Sequence, residues 1–516
     1  MRQWSVVIMA ALIIALLGSM SVVAPTSAQD ARPEIRVRLQ FARPGGVFDP
    51  GHWQYTSDWF VYPSLFNWLV RWKAGTFGGQ LEPDLAESYA VSPDGTTYTF
   101  KLRKGVQFHK GFGELTSEDV AFTFTRQMAD EKMSFFDDVQ QIAHIETPDR
   151  YTVRIRLKAP SAAFLSTVIA YRPGLVVSKK AVQQLGDAGF AKAPVGTGPY
   201  VLERVAGNDV IVVANDQYFK GRPQVRRITF THIPDELVAA TAIIKGEFQV
   251  IWTRGNPEAV RLLQQNPAIK IQRTVVYDSV RHIAMSPGFK PTQDVRVRRA
   301  LSYAINRQQI AAALPGMELP TDYVRHPRLF GGTAEVPRYP YNVEKAKQLL
   351  ADAGYPNGFR VRLMYQTRSP EDILASIVQS SWRVIGVEAT LDPAEPTAAF
   401  DRRNRGDFEV TVLSVGRPAD PDLYYSDIFL SSAKPPGGSN YGAYAAADDL
   451  ILAARRELVP AKRQKIYDQL NRKLMTELPI IPLSNQIFVS AWRDPILTMA
   501  NGTNNDFLSE SIKVKP

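Results

Sequence analysis

The chain has 516 residues, of which 45% are hydrophobic and 22% are charged, and its formal net charge is +10. This length predicts several domains, and the ordinary balance of apolar and charged residues excludes extensive disorder. The cations alternate with apolar residues and form no basic blocks, so they indicate a solvated surface and not a nucleic-acid interface. The six histidines are scattered, and neither a metal nor another cofactor is predicted.

The first 28 residues differ from the rest of the chain. Arg2 precedes the continuous apolar segment 6–17, and the small residues Thr26, Ser27 and Ala28 follow it. This pattern is typical of a secretory signal peptide cleaved before Gln29, with an uncleaved anchor helix as the alternative. The sequence contains no cysteine, so we expect neither disulfides nor a lipid anchor. The mature protein is therefore expected to be periplasmic and not a lipoprotein.

Strand and helix signals alternate along the chain after the signal peptide. Period-two patterns and apolar runs predict strands at 35–41, 98–102, 151–157, 210–214, 228–231, 359–364, 408–415 and 478–492. Capping residues and helical periodicity predict helices that begin near residues 117, 257, 295, 343, 371 and 461. The helix after Asp294 is expected to continue to Ile310. This interleaving predicts an α/β fold.

Motifs of the common enzyme classes are missing from the sequence. It contains no HExxH, GxSxG or P-loop pattern, and without cysteine it has no thiol nucleophile. Ser431–Lys434 matches the S-x-x-K pattern of penicillin-recognising enzymes, but two prolines follow at once and prevent the helix that this motif requires. We therefore predict no enzyme activity. One alternative stays open, an exported hydrolase of peptides or cell-wall fragments that uses carboxylates such as Asp420 and Asp422.

Four stretches, at 81–124, 196–205, 294–310 and 342–359, occur in an order that resembles one protein family. They include "LEPDLAESYAVSPDGTTYTF", "GTGPYVLERV", "DVRVRRALSYAINRQQI" and "NVEKAKQLLADAGYPNGF". Together they resemble the peptide/nickel family of bacterial extracellular solute-binding proteins, which includes dipeptide- and oligopeptide-binding members. The resemblance implies a two-lobed, hinged periplasmic-binding-protein fold with an extra subdomain in the first lobe. It implies that the protein captures a small solute and delivers it to ABC transporter permease subunits in the inner membrane. It also implies that the protein is a monomer and does not transform the solute chemically.

The resemblance also divides the chain into domains. After the expected signal peptide at 1–28, the first lobe is expected to comprise 29–75, 196–280 and 481–516. The extra subdomain is expected at 76–195 and the second lobe at 281–480. The chain is expected to cross between the lobes near Tyr277–Met285 and again near Pro479–Asn485.

A set of ligand contacts follows from the same resemblance. The implied ligand-binding residues are Gln54, Tyr55, Thr56, Trp252, Arg281, His282, Ser414, Arg417, Asn440 and Tyr441. Aromatic side chains suit a site of broad specificity, because they contribute contact area with few rotatable bonds. Structural roles are the alternative, with Trp252 as plain core and His282 as a buried histidine.

The stretch "LSVGRPADPDLYY" at 413–425 departs from the family pattern. Peptide-binding members have a tryptophan and an aspartate where this chain has Ser414 and Arg417, and that aspartate pairs with the α-ammonium of the peptide. An arginine in a dehydrated cleft repels a cation and suits a carboxylate, phosphate or sulfate. We therefore expect free-amino peptides to be disfavoured, unless Asp420 replaces the aspartate. The alternative is that Arg417 turns outward and pairs with Asp420 or Asp422.

The ligand itself stays open at this point. A short or modified peptide, an opine-like or other anionic metabolite, an oligosaccharide and a metal–chelator complex are all compatible with the sequence.

Overall fold

The computed structural model describes residues 30–40, 47–52, 58–73, 80–416, 420–499, 507 and 509–515. The strands are β1 Glu34–Leu39, β2 Val70–Trp72, β3 Leu81–Pro83, β4 Ala86–Val91, β5 Thr97–Leu102, β6 Ile142–Asp149, β7 Thr152–Leu157, β8 Tyr200–Ala206, β9 Asp209–Ala214, β10 Arg227–His232, β11 Val250–Thr253, β12 Lys270–Met285, β13 Glu318–Pro320, β14 Arg360–Gln366, β15 Glu388–Ala394, β16 Val410–Gly416, β17 Ile480–Trp492, β18 Ile496–Thr498 and β19 Lys513–Val514. The α-helices are α1 Asp58–Leu65, α2 Ser117–Ala129, α3 Phe136–Val139, α4 Lys179–Lys192, α5 Glu236–Lys245, α6 Pro257–Gln264, α7 Val295–Tyr303, α8 Gln308–Ala313, α9 Val343–Asp352, α10 Glu371–Arg383, α11 Pro396–Asn404, α12 Pro421–Phe429, α13 Asp448–Arg456 and α14 Pro460–Glu477.

Local sequence signals explain most of these elements. The strands predicted from periodicity are all present, with ends within two residues of the expected ones. At the start of α2, the Asp119 carboxylate accepts from the backbone N–H of Thr116 at 2.9 Å, as a capping box requires. The expected helix 295–310 is wrong in its length, because it is interrupted between α7 and α8. There the Asn306 side chain accepts from the backbone N–H of Gln308 at 3.2 Å, a local turn that competes with the helix.

One eleven-stranded sheet extends through the molecule in the order β15-β14-β16-β12-β17-β11-β1-β10-β9-β8, with β13 also paired to β17. The long strands β12 and β17 pair antiparallel along most of their length. Strand β17 also pairs with β11 at one end, and β12 pairs with β16 at the other. These two strands therefore join the two halves of the sheet.

Two large hydrophobic cores lie on either side of this junction. The N-terminal core contains Val37, Tyr200 and Phe230 and is completed by residues near the C-terminus such as Phe488. The C-terminal core extends from Val260 to Val489 and includes the fully buried Trp382. Since each half has its own core, the fold is two-lobed and of the α/β class.

The pairing of β12 with β17 shifts register between the two cores. Val276 pairs with Gln486, and Val280 pairs with Asn485, so four residues of β12 correspond to a single step along β17. The Asn485 side chain donates to the backbone carbonyl oxygens of Tyr277 and Ser279 at 3.0 and 3.2 Å. The crossing segments expected near 277–285 and 479–485 lie on these strands, while the other domain boundaries stay predictions.

A separate antiparallel sheet, β4-β5-β7-β6, lies within the segment 76–195 predicted to form the extra subdomain. This subdomain contacts the second lobe. The backbone N–H of Ala162 donates to the Arg455 carbonyl at 2.9 Å. The Ser166 hydroxyl donates to the Asp420 carboxylate at 2.7 Å. Among the helices of the described ranges, none combines the length and apolar character needed to cross a bilayer.

Candidate ligand-binding site

A cavity of about 160 Å³ opens in the second lobe, beside the ends of strands β14 and β16. These two strands are parallel, so their carboxyl ends lie at the same edge of the sheet, where open α/β sheets commonly bind ligands. Its volume resembles that of cavities that hold a benzene-sized group. The lining residues are Gln366, Arg368, Glu371, Phe400, Arg403, Leu413, Ser414, Val415, Ser439 and Tyr441.

Arg403 on α11 is a buried arginine among the residues that line this cavity. The residue is only 5% exposed, and its guanidinium carbon lies 5.8 Å from the centroid of the Tyr441 ring. Its Nε and Nη1 atoms are buried and have no hydrogen-bond partner among the described residues. A buried donor without a partner costs about 1–3 kcal/mol. A hydrogen bond from Arg403 to a ligand acceptor would therefore contribute more binding free energy than the same bond at the protein surface.

Glu371 at the start of α10 is a buried acid among the residues that line the same cavity. One carboxylate oxygen, Oε1, accepts from Arg281 Nη1 at 2.9 Å. The other, Oε2, is buried and has no hydrogen-bond partner in the described part of the chain. It lies 3.7 Å from Arg368 Nε, beyond the range of a hydrogen bond. Burial alone would raise the pKa of Glu371, but Arg281, Arg368 and Arg254 together hold it below its usual value.

Arg281, predicted to bind ligand, lies in a buried ion-pair network behind the cavity. The residue is 1% exposed, and its Nε donates to Glu318 Oε1 at 2.6 Å while Nη1 donates to Glu371. Glu318 in turn accepts from the Ser484 hydroxyl on β17 at 2.7 Å. This network connects the two crossing strands to the cavity wall. Direct ligand contact by Arg281 stays a prediction.

The guanidinium groups around the cavity make it electropositive. Arg254 follows β11 in the first lobe, and burial, with smaller contributions from Arg368 and Arg281, lowers its pKa to about 10. Burial also lowers the pKa of Arg368, and Arg281 and Arg403 act in the same direction. Because these like charges repel one another, an anion between them would relieve the repulsion.

Two further predicted residues, Ser414 and Tyr441, line the cavity. The Ser414 hydroxyl lies 3.1 Å from the Ser279 hydroxyl on β12. The neighbouring Asn440 does not line the cavity, and its amide holds the loop that carries Tyr441. It donates to the Leu430 and Tyr444 carbonyl oxygens at 3.0 and 2.7 Å and accepts from the Tyr444 N–H at 2.9 Å. Ligand contact by Asn440 stays a prediction.

The predicted residues His282 and Trp252 are buried away from the cavity lining. His282 is 1% exposed, its Nδ1 bonds to the Val280 carbonyl at 3.0 Å, and burial lowers its pKa to about 4. Trp252 lies in the N-terminal core, with ring centroids of Phe60 and Phe507 at 4.6 and 5.5 Å. Its Nε1 is buried and finds no partner in the described ranges. The ligand roles of both residues stay predictions.

The predicted residues Gln54, Tyr55, Thr56 and Arg417 lie outside the described residues.

The carboxylates of Asp420 and Asp422 have partners away from the cavity. Asp420 accepts from Arg463 at 2.9 and 3.3 Å and also from Ser166 in the extra subdomain. Asp422 accepts from Arg455 at 3.0 and 3.2 Å. These contacts fix α12 in place and engage the carboxylates that a hydrolase would use. No group of metal-ligating side chains occurs within the described residues.

The sequence did not identify Arg368, Glu371 and Arg403 as site residues. Arg403 stands in the charged run "DRRNRG", which is typical of a solvated helix end. A weak signal exists, because Arg403 follows Ala399 by four residues, and this spacing places it on the buried face of α11. Glu371 follows Pro370 as an ordinary first-turn acid. Nothing in its local sequence indicates an acceptor inside a cavity.

Comparison with known proteins supports a single family. Residues 80–436 match the model of the bacterial extracellular solute-binding proteins, family 5 middle. The dipeptide-binding protein of Escherichia coli K12 is 30% identical over 501 residues, covering 90% of this chain and 92% of that protein. The glutathione-binding protein GsiB of Salmonella paratyphi A is 31% identical over 423 residues, covering 79% and 81%.

A solved structure shows the same architecture. The periplasmic binding protein MoaA of A. tumefaciens R10, in complex with mannopinic acid, has a TM-score of 0.82 and 26% identity, covering 94% of this chain and all of that one. The family match spans more than half of this chain, and the two lobes and their crossing strands agree with it. The chain therefore belongs to family 5 of the bacterial extracellular solute-binding proteins, which capture a small solute between two lobes and deliver it to an ABC importer.

Proposed function

We propose that the solute captured by this chain carries a carboxylate or another anionic group. The observation that carries this proposal is Arg403, which lines the cavity and whose buried Nε and Nη1 have no hydrogen-bond partner among the described residues. Arg368 lines the same cavity, and two guanidinium groups suit the oxygen atoms of a carboxylate. An anion would be attracted by both residues.

The position of the cavity also supports ligand-dependent closure of the lobes. Beside it, the Ser369 hydroxyl of the second lobe donates to the Gly255 carbonyl of the first lobe. Arg254 of the first lobe donates to Gln486 on the crossing strand β17 at 3.1 Å. A ligand that contacts both lobes at this point binds the closed form more tightly than the open form, and so shifts the population towards closure.

The ligands named for the related proteins support an anionic solute. Dipeptides, glutathione and mannopinic acid all carry a carboxylate. An opine-like acid or a modified peptide fits the arginine-lined cavity better than an uncharged oligosaccharide does. The predicted role of Arg417 points in the same direction, and we expect Arg417→Ala to weaken the binding of an acid by roughly 2–4 kcal/mol.

Mass spectrometry of the compound that co-purifies with the protein tests the proposal. We expect an acid, and we expect Arg403→Met to weaken its binding, measured by calorimetry, by roughly 2–4 kcal/mol. Arg402→Met is the matched control, because this neighbour pairs with Asp392 at 2.6 and 3.1 Å outside the cavity. An uncharged compound, or equal affinity in Arg403→Met and wild type, would overturn the proposal.

We further propose that the protein acts without turnover. The added ligand should be recovered unchanged while it raises the melting temperature of the protein. Steady consumption of the compound by purified protein would instead support the hydrolase alternative.

We also propose that residues 1–28 are removed on export, so that the mature protein begins at Gln29 in the periplasm as an unlipidated monomer. It would bind the small solute and the permease subunits of the inner membrane and no nucleic acid. Intact-mass measurement of the periplasmic protein and light scattering after size exclusion test the processing and the monomeric state.

A further inference from the structure

The acceptor at Glu371 adds a second requirement to the ligand. Glu371 lines the same cavity as Arg403, and both residues are at least nine-tenths buried, at 3% and 5% exposure. Neither Glu371 Oε2 nor the Nε and Nη1 atoms of Arg403 have a hydrogen-bond partner among the described residues. A ligand that satisfies only Arg403 would leave a buried carboxylate oxygen without a hydrogen bond, which is costly.

The surrounding charges limit what can donate to Glu371. The guanidinium groups of Arg254, Arg281, Arg368 and Arg403 act on one another or on Glu371, and the carboxylates that act on this group are Glu236, Glu318 and Glu371. Four positive charges against three negative ones leave a surplus of one. A free ammonium group would enter this positive field at a cost, whereas a neutral donor would not.

We infer that Glu371 Oε2 accepts a hydrogen bond from a neutral donor, an O–H or an amide N–H, that the ligand carries next to its arginine-bound carboxylate. The ligand class is then a hydroxy acid or an N-acylated amino acid, and not a free amino acid. This inference rests on the proposed function, because it assumes that the arginines hold an acid. It assigns to Glu371 a specificity role that is independent of how tightly the carboxylate is bound.

Four probes with the same five-carbon diacid skeleton separate these donors. In 2-hydroxyglutarate the group beside the carboxylate is an O–H donor, in N-acetylglutamate an amide N–H donor, in 2-oxoglutarate an acceptor only, and in glutamate an ammonium. Titration calorimetry on the full mature protein at pH 7 measures each affinity. We expect at least one of the two neutral donors to bind about tenfold more tightly than both 2-oxoglutarate and glutamate, as one charge-assisted hydrogen bond would give.

The variant Glu371→Gln tests the residue itself. A glutamine can keep a carbonyl oxygen towards Arg281 Nη1 and present its NH₂ group where Oε2 was, so the acceptor becomes a donor. We expect the preference for the neutral donor over 2-oxoglutarate to disappear or reverse. The matched control is Asp372→Asn, because Asp372 is the next residue on α10 and does not line the cavity. This control should keep the wild-type ranking.

The outcomes separate this inference from the proposed function. If all probes bind the wild type with equal affinity, or if the preference persists in Glu371→Gln, the inference is overturned while the anionic site stands. Failure of both neutral donors to bind, with tight binding of a co-purified acid, overturns it as well. If Arg403→Met binds every acid as wild type does, the proposed function fails instead. A melting curve of Glu371→Gln verifies that the variant is folded.

Discussion

Arg281 and Arg403 are both buried arginines of the second lobe, at 1% and 5% exposure, yet their surroundings differ. Arg281 lies behind the cavity and donates to Glu318 and Glu371. Arg403 lines the cavity, and two of its nitrogen atoms have no partner among the described residues. Burial alone therefore does not separate a stabilising arginine from one available to a ligand. The two kinds of arginine are distinguished by whether their N–H donors already have hydrogen-bond partners within the protein.

The largest effect is expected from Arg281→Met. It would leave Glu318 and Glu371 buried without their shared cation, and we expect a loss of about 3–5 kcal/mol in the free energy of unfolding. Denaturant titration measures the loss. Arg360→Met is the control, because the Arg360–Glu388 ion pair is exposed, at 89% and 68% of the side-chain surfaces, and should not change the stability measurably. If Arg281→Met were as stable as wild type but bound ligand more weakly, Arg281 would be a ligand-binding residue and not a stabilising one.

The next effect concerns Asp278, which lies in the register shift of β12, three residues before Arg281. Burial raises the pKa of its carboxyl to about 7, although Arg325 opposes the shift. The folded state then binds a proton that the unfolded state releases near pH 4, so Asp278 costs stability increasingly as the pH rises from about 4 to about 7. Asp278→Asn removes this cost.

We expect Asp278→Asn to gain about 1–3 kcal/mol of stability relative to wild type across that pH interval. Denaturant titrations of both proteins at pH 4, 5.5 and 7 check the difference. Comparison with wild type at each pH is needed, because buried histidines such as His282 have the opposite dependence. A constant difference from pH 4 to pH 7 would show that Asp278 is ionised throughout.

Arg281→Met is expected to lower the stability of the protein, whereas Arg403→Met is expected to raise it by a smaller amount. Removing a buried cation with unsatisfied donors should stabilise the ligand-free protein by about 1 kcal/mol, while ligand binding is weakened. Thermal unfolding of ligand-free protein measures the gain. A fall in melting temperature would mean that Arg403 is a structural residue like Arg281.

The smallest effect on the ligand-free protein is expected for Gly255→Ala. A Cβ atom at this position would lie 2.4 Å from the Ser369 carbonyl oxygen of the other lobe, so the lobes could not approach as closely. We expect weaker ligand binding by about 1 kcal/mol and an unchanged stability of the ligand-free protein. Small-angle scattering with and without ligand checks closure, and full closure of the variant would contradict the expectation.

The sequence predicted the fold well because the relevant signals are local. Period-two alternation located β10 and β16, and the capping residue Asn342 accepts from the Lys345 N–H at 2.8 Å. The partners of Arg281 could not be predicted in this way, since Glu318 and Glu371 are 37 and 90 residues away in the chain. Similarly, the six-residue run around Arg403 contains three arginines, and only the folded structure shows which one faces the cavity.

The paired strands β12 and β17 restrict the motion that this receptor can use. They are hydrogen-bonded to each other on both sides of the register shift, so sliding of one lobe past the other would break backbone bonds. Bending at 277–279, where the Asn485 side chain replaces the regular ladder, breaks none of them. The protein should therefore open and close by bending about a single axis at this point, without sliding of the two lobes.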